Sequence, residues 1–259
     1  MNGEGRAVRP TAALPDLVYP VKPTEDDCAE LRYSLRSIAA NAAGLFRKVW
    51  IVGSGLPAWL TNVETIDAGS PDGRNADVRA KITAAVHDRR VATRIVILAD
   101  DNFLVEPITE WAAFHMGPTT KYLERLGRLK TPLHTGNSGW VRAVAATAAW
   151  MADRGHGDIL CRQGHRPLLW DRRALAEAID AYPADQPMDY LGFYDIAGAA
   201  GEGRRGVNAK VTVADNFQHR LDALNVPWLS SNDRSFREGM IGGYIRGMFR
   251  EPSPYERED

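Results

Sequence analysis

Three short polar stretches hold the residue types that divalent cations and proton transfers need. They are Asp100-Asp101-Asn102, Gly164-His165-Arg166-Pro167 and Ser231-Asn232-Asp233. The first offers only oxygen, the ligand type Mg²⁺ and Mn²⁺ prefer. Adjacent carboxylates at a buried strand end repel each other and lose hydration, so they favour a cation beside them. A carboxylate pair, one histidine and a third carboxylate suit a divalent ion carrying a diphosphate, with one group left as a base or a positioning group. Each stretch also has a plainer reading. Asp and Asn make turns and helix caps. Asp233 precedes an apolar helix and suits its cap. His165 suits a structural role. His134, in the polar loop 131–139, is a further candidate.

The elements that must position these groups follow from periodicity. Ile95 to Leu98 is an apolar, largely β-branched run leading straight into Asp100. Such a run suits a strand buried on both faces of a parallel sheet. Ligand crevices in open α/β sheets lie outside the carboxyl ends of the strands, where the acidic stretch falls. Upstream, strands are expected over 16–21, 48–52 and 63–66. A helix capped by Thr24 carries the stripe Cys28, Leu31, Leu35, Ile38 and Ala42, with Arg32 and Arg36 off it as solvated, paired or phosphate-contacting residues. A second helix, capped by Asn75, presents Val78, Ile82, Ala85 and Val86. The order is β-α-β-β-α-β, which argues α/β architecture: one domain with a central, mostly parallel sheet flanked by helices.

Downstream the pattern loosens. Residues 106–129 are mixed; helices are expected over 141–151 and 172–182, and a strand over 190–194. The glycine-rich stretch 197–206, with Arg204 and Arg205, reads as a mobile loop. A short extended piece at Trp228 precedes one helix containing Phe236, Met240, Ile241, Tyr244, Ile245 and Met248. Residues 1–15 read as a flexible tail, 16–105 as a nucleotide-binding half, 106–249 as an acceptor half, and 250–259 as a C-terminal tail.

Composition sets the class. The 259 residues are 44% hydrophobic and 25% charged with net charge −1, ordinary for a soluble globular chain and lacking a global basic field for nucleic acid. Cys28 and Cys161 sit in apolar patterns and read as buried thiols. No membrane-length apolar run and no signal-peptide core are evident, so a cytoplasmic location is expected. Neither a Gly-x-Ser-x-Gly elbow nor a Walker lysine loop is present, which disfavours triad hydrolases and P-loop kinases.

The stretches 30–38 (ELRYSLRSI), 47–52 (RKVWIV) and 56–60 (LPAWL) resemble the second conserved region of Stealth-type sugar-phosphate transferases, and related small glycosyltransferases common in actinobacterial phages. The acidic strand end 100–104, His165-Arg166-Pro167, Ser231-Asn232-Asp233 and the closing 252–256 (PSPYE) are similar to the phage-type relatives. Two Stealth features are missing. Residues 20–23 read PVKP in place of a Trp-Val-Asp segment, and no Leu-Pro-Thr-Phe-Asn-Ser segment lies between Asp67 and Arg94. The resemblance therefore implies a nucleotide-sugar glycosyltransferase with a GT-A-like fold, acting in the host cytoplasm if phage-encoded. It implies Mn²⁺ or Mg²⁺ at Asp100 and Asp101, with His165 as a further ligand and Asn102 as the motif's third residue. The donor is expected to be a UDP- or GDP-sugar, with Tyr19 and Pro20 lining the base and Arg79 touching the phosphates. Asp233 is the expected base if the reaction inverts. The acceptor stays open among a protein, a glycan and a modified DNA base. The alternatives are a hexose-1-phosphate transferase and an inactive carbohydrate-binding or virion-associated module.

Overall fold

The computed structural model describes residues 13–22, 27–69, 73–128, 139–212 and 227–257. His134, Thr24 and most of the expected N-terminal tail lie outside them. The first strands and helices run β1 (Asp16–Pro20), α1 (Ala29–Asn41), β2 (Val49–Val52), β3 (Glu64–Ile66), α2 (Arg74–His87) and β4 (Arg94–Ile97). Then come β5 (Asn102–Leu104), β6 (Phe114–His115), α3 (Thr119–Arg128), α4 (Gly139–Ala152), β7 (Leu168–Asp171) and α5 (Arg172–Ala181). A 3₁₀ turn (Tyr190–Phe193) leads into α6 (Tyr194–Ala197), and β8 (Arg204–Arg205), β9 (Trp228–Ser230), α7 (Asp233–Glu238) and α8 (Met240–Met248) close the chain.

The main sheet has the order β3-β2-β1-β4-β7, parallel except for β7, which runs antiparallel to β4. Helix α1 carries the crossover from β1 to β2, and α2 lies between β3 and β4, whereas β2 and β3 are joined by residues 53–63 without a helix. The fold is thus α/β, with a central, mostly parallel sheet flanked by helices. Alternate residues of β1 serve opposite layers. Leu17 and Tyr19 pack with Leu31 and Leu35 of α1, whereas Val18 packs with Trp50, Ile82, Ile95 and Trp170. Asp16 is buried at the start of β1, where Arg47 grips both its oxygens at 2.7–2.8 Å. Burial alone would raise its carboxyl; hydrogen bonds from Arg47, the Ala92 N–H and Trp50 outweigh that and hold it below its usual value.

Helix α1 does a second job. Glu30, Ser34, Ser37 and Asn41 recur at helical spacing as a polar stripe beside the apolar one. Strand β5 pairs with β9 along one edge only. Its other edge is satisfied by this stripe. Ser34 Oγ donates to the Asn102 carbonyl at 2.6 Å, the Leu104 N–H donates to Ser37 Oγ at 3.0 Å, and Asn41 Nδ2 donates to the Leu104 carbonyl at 2.6 Å. Side chains thus take the place of a third strand, and β5 sits rigidly beyond β4.

Several expectations are corrected. Asn75 lies inside α2, whose cap is Gly73 with φ of 100°, a left-handed conformation that suits glycine. Residues 190–194 form a 3₁₀ turn and the start of α6, because the Asp189 side chain accepts from the Leu191 N–H and starts a helical turn. The stretch 197–206 is built into the fold: β8 pairs parallel with β6, and at Gly203, with φ of 83°, an added Cβ would meet the Ala113 carbonyl at 2.1 Å. The expected last helix is two helices, broken at Gly239, where a Cβ would lie 2.5 Å from the Ser235 carbonyl. Arg36 binds Glu256 through two bonds of 2.6 and 2.8 Å, and Arg32 lies 3.9 Å from the same carboxylate. Both arginines therefore clamp the C-terminal segment.

Replacing Ser34 by Ala would strand the Asn102 carbonyl and the Tyr19 hydroxyl, which donates to Ser34 Oγ at 3.1 Å in the core. Urea unfolding of Ser34→Ala is expected to show a loss of about 2–4 kcal/mol, the cost of two unsatisfied buried groups. A loss below about 0.5 kcal/mol, within the range of an ordinary surface change, would contradict the edge-sealing role.

Candidate active site

The strand order reverses between β1 and β4, and the position beyond their carboxyl ends is where such sheets commonly form a ligand crevice. The turn between β4 and β5 places Asp100 and Asp101 there. Four other segments converge on it: the 164–167 loop with His165, Lys210, the Ser230–Asp233 junction, and Glu30 at the start of α1. His165 adopts φ of 51°, a left-handed conformation uncommon outside glycine.

Asp101 is buried and fully engaged. Its Oδ1 accepts from Asn102 Nδ2 and Ser230 Oγ, both at 3.2 Å, and its Oδ2 pairs with Lys210 Nζ at 3.2 Å. Its carbonyl accepts from the Ser231 N–H at 3.1 Å. Asp100 is different. No described cation pairs with it directly, and it keeps part of its surface in solvent although protein surrounds most of it. Burial, then the charges of Asp101 and Asp233, push its carboxyl up to about 7.

Glu30 is buried as well. Its carboxyl is pushed up to about 8 by burial and by Asp101, Asp100 and a hydrogen bond with Asp233, against a short hydrogen bond from Ser231 Oγ. Glu30 therefore holds a proton at neutral pH and can donate it to Asp233 in a hydrogen bond. His165 goes the other way: burial and Lys210 lower it to about 4, with Asp101 opposing, so its imidazole is neutral at pH 7. The exposed Arg74, at the N-terminus of α2, adds positive field at both Asp100 and His165.

The expected site residues sort accordingly. Asp100, Asp101, His165 and Asp233 come together, and Pro20 ends β1 at the crevice. Tyr19 does not line a base, because its side chain has no exposed surface and hydrogen-bonds Ser34 within the core. Arg79 is spent elsewhere: its Nη1 donates to the carbonyls of Pro183, Ala184 and Gln186, and its guanidinium lies over Tyr182. Asn102 is a buried brace. Its Oδ1 accepts from the Ala99 N–H at 3.1 Å, and its Nδ2 donates to Asp101 and to the His165 carbonyl at 3.3 Å. Asp233 is not the helix cap. Asn232 caps α7 in a reciprocal box with Ser235, which leaves the Asp233 carboxyl exposed and uncommitted to capping.

Sequence reasoning missed Glu30, Lys210 and Arg74. Glu30 has a readable signal, since it continues the Ser34-Ser37-Asn41 stripe by one turn. Lys210 and Arg74 have none, because only tertiary structure brings them to the acidic turn.

No protein-family model matches the chain, and no curated protein matches it. Two solved structures are similar to it at a low level: an active-site mutant of LgtC, and the galactosyltransferase LgtC in complex with donor and acceptor sugar analogues. Each shows 10% identity and a TM-score of 0.47, over 92% of this chain and 98% of the other.

An aspartate at position 102 would remove both Nδ2 donations and set a third carboxylate against Asp101 and the His165 carbonyl. Asn102→Asp is expected to lose about 3 kcal/mol of stability at pH 8, the scale of a buried uncompensated charge. A variant as stable as the parent in urea would show that Asn102 is not a brace.

Proposed function

We propose that the chain is a metal-dependent glycosyltransferase with a GT-A-like fold, moving a sugar from a nucleoside-diphosphate sugar to an acceptor. One observation carries this reading: Asp100, Glu30 and Asp233 crowd the switch point with more carboxyls than the cations among the described residues balance. Support also comes from the sequence resemblance at 30–38, 47–52 and 56–60.

A divalent ion fits this donor set by charge and ligand type. Among the described residues no group of three His, Cys, Asp or Glu side chains is placed to hold a metal ion. Mg²⁺ and Mn²⁺ do not need such a group, since they are commonly held by one or two carboxylates together with substrate phosphates. Asp100 is the open carboxylate and neutral His165 the open imidazole, whereas Asp101 is already balanced by Lys210. A bound Mn²⁺ or Mg²⁺ would neutralise the diphosphate leaving group. Lys210 and Arg74 would add positive charge on the same side. Pro20, at the end of β1, would border the base. Asp233 would take the acceptor proton in an inverting transfer, oriented by the hydrogen bond from Glu30. The donor is proposed to be a UDP- or GDP-sugar; among the described residues no helix is long and apolar enough to cross a membrane.

The two aspartates should separate experimentally. Asp101→Ala removes acceptors from Ser230 and Asn102 and the carboxylate beside Lys210, so its melting temperature should fall by several degrees, with or without metal. Asp100 titrates near 7 in the fold against 3.8 free. The fold therefore loses stability as pH rises from about 4 to about 7, and Asp100→Asn escapes that loss. Asp100→Asn should melt at or above the parent at pH 8, yet lose the Mn²⁺-dependent rise in melting temperature and the Mn²⁺-dependent UDP- or GDP-sugar binding seen by calorimetry. Unchanged Mn²⁺-dependent donor binding in Asp100→Asn would reject the assignment.

Asp233→Asn leaves the Asn232 cap intact, so its melting temperature and donor binding should match the parent. Turnover, read as nucleoside diphosphate released, should fall by roughly two to four orders of magnitude. Near-normal turnover would remove Asp233 from the mechanism, and release of nucleoside monophosphate would indicate sugar-phosphate transfer instead.

A further inference from the structure

Lys210 stands between the acidic turn and the His165 loop, and its backbone holds it there. Residues 209–211 run along the edge of β9 opposite β5. The Ser230 N–H donates to the Ala209 carbonyl at 3.0 Å, and the Val211 N–H donates to the Ser230 carbonyl at 2.7 Å. The Ala209 N–H donates to the carbonyl of Gly164, the residue before His165, at 2.9 Å. Side chains of an extended segment alternate between faces. Ala209 and Val211 are buried, whereas the Nζ of Lys210 meets Asp101 Oδ2 at 3.2 Å.

The charge of Lys210 falls on two of the three groups that this region offers to a cation. At Asp101 it joins Asn102 and Ser230, so both carboxylate oxygens are engaged. At His165 it lowers the imidazole alongside burial. Asp100 feels the positive charge of Arg74 instead. The pair of Lys210 and Asp101 is largely buried, with side chains 20% and 12% exposed, so solvent salt screens it weakly. One ammonium on Asp101 cancels the carboxylate charge that a divalent ion would otherwise use.

We propose that Lys210 is a resident cation that keeps Asp101 out of the metal's ligand set and couples metal binding to diphosphate binding. This inference rests on the metal-dependent reading above and adds the residue that links its two ligands. An ammonium repels a divalent cation and attracts a diphosphate, so its two effects have opposite signs. A diphosphate compensates Lys210 and removes its penalty on the cation. The nucleotide therefore raises affinity for the metal, and by linkage the metal raises affinity for the nucleotide.

Two measurements on the parent, Lys210→Gln and Lys210→Arg test this: Mn²⁺ binding from the EPR signal of the free ion, and UDP or GDP binding by calorimetry without metal. Glutamine removes the charge yet can still donate to Asp101. Lys210→Gln is expected to bind Mn²⁺ alone about 5–150-fold more tightly, the usual span of coupling between sites, and to bind nucleotide more weakly. Lys210→Arg keeps the charge and should follow the parent in both. A lysine that only braces the fold would move the two affinities the same way or not at all. Unchanged or weaker Mn²⁺ binding in folded Lys210→Gln would therefore overturn the proposal, and would leave the metal-dependent reading standing if the parent binds Mn²⁺ with UDP or GDP. No Mn²⁺ on any of the three proteins, with or without nucleotide, would overturn that reading and this proposal together. If Lys210→Gln does not fold, the double variant Asp101→Asn with Lys210→Gln decides, because it removes both charges at once. Parent-like Mn²⁺ affinity is expected there; lost affinity would make Asp101 a ligand and reject the role of Lys210.

Discussion

Strand β5 has one paired edge and one edge that only side chains can satisfy, and the candidate site depends on how that second edge is closed. Ser34, Ser37 and Asn41 close it from α1, through backbone groups of Asn102 and Leu104. An unsatisfied buried carbonyl or amide costs about 1–3 kcal/mol, so three such contacts fix the strand firmly. The turn carrying Asp100 and Asp101 hangs between β4, locked in the sheet, and β5, locked by α1. Because Glu30 belongs to the same stripe, the helix that seals the strand also brings a carboxyl to the crevice.

Charge is distributed unevenly over this frame. Asp101 is a structural carboxylate whose partners, Lys210, Ser230 and Asn102, knit the turn to β9 and to the segment after β8. Among the described residues, Asp100, Glu30 and Asp233 have no comparable set of cations. Burial and mutual repulsion raise Asp100 and Glu30 well above ordinary carboxylates. A fold that keeps such groups together without compensation forgoes stability, as functional sites commonly do. Adding a divalent ion and a diphosphate together would change the balance from repulsion to attraction. Asp233, freed from capping by Asn232, keeps its carboxyl exposed beside Asp100 and Glu30.

The architecture was legible where periodicity was strong. The apolar runs at Leu17–Tyr19, Val49–Val52 and Ile95–Ile97 became the parallel core of the sheet, and the stripe from Cys28 to Ala42 became the buried face of α1. Past Asp101 the signals were short-range and competed. Tyr190–Tyr194 has the aromatic character of a strand, yet a single side chain, Asp189, starts a helical turn there. Asp233 and Asn232 are both good caps by type, and only the contact with Ser235 chooses between them. Asn102 read as the third residue of the acidic motif because a motif shows residue type but not direction; its carboxamide points inward. Arg79 and Tyr19 were misplaced for the same reason. Lys210, more than a hundred residues from Asp101 in sequence, left no local trace at all.

The central claim is that the crevice beyond β1 and β4 receives a divalent ion and a nucleoside diphosphate through Asp100. Anomalous diffraction at the manganese edge, from crystals grown with Mn²⁺ and UDP or GDP, addresses it most directly. The expected result is one strong peak at coordination distance from an Asp100 carboxylate oxygen, with the diphosphate against the ion and the base beside Pro20. A nucleotide bound elsewhere on the protein, or bound in the crevice with no manganese at Asp100, would contradict the account.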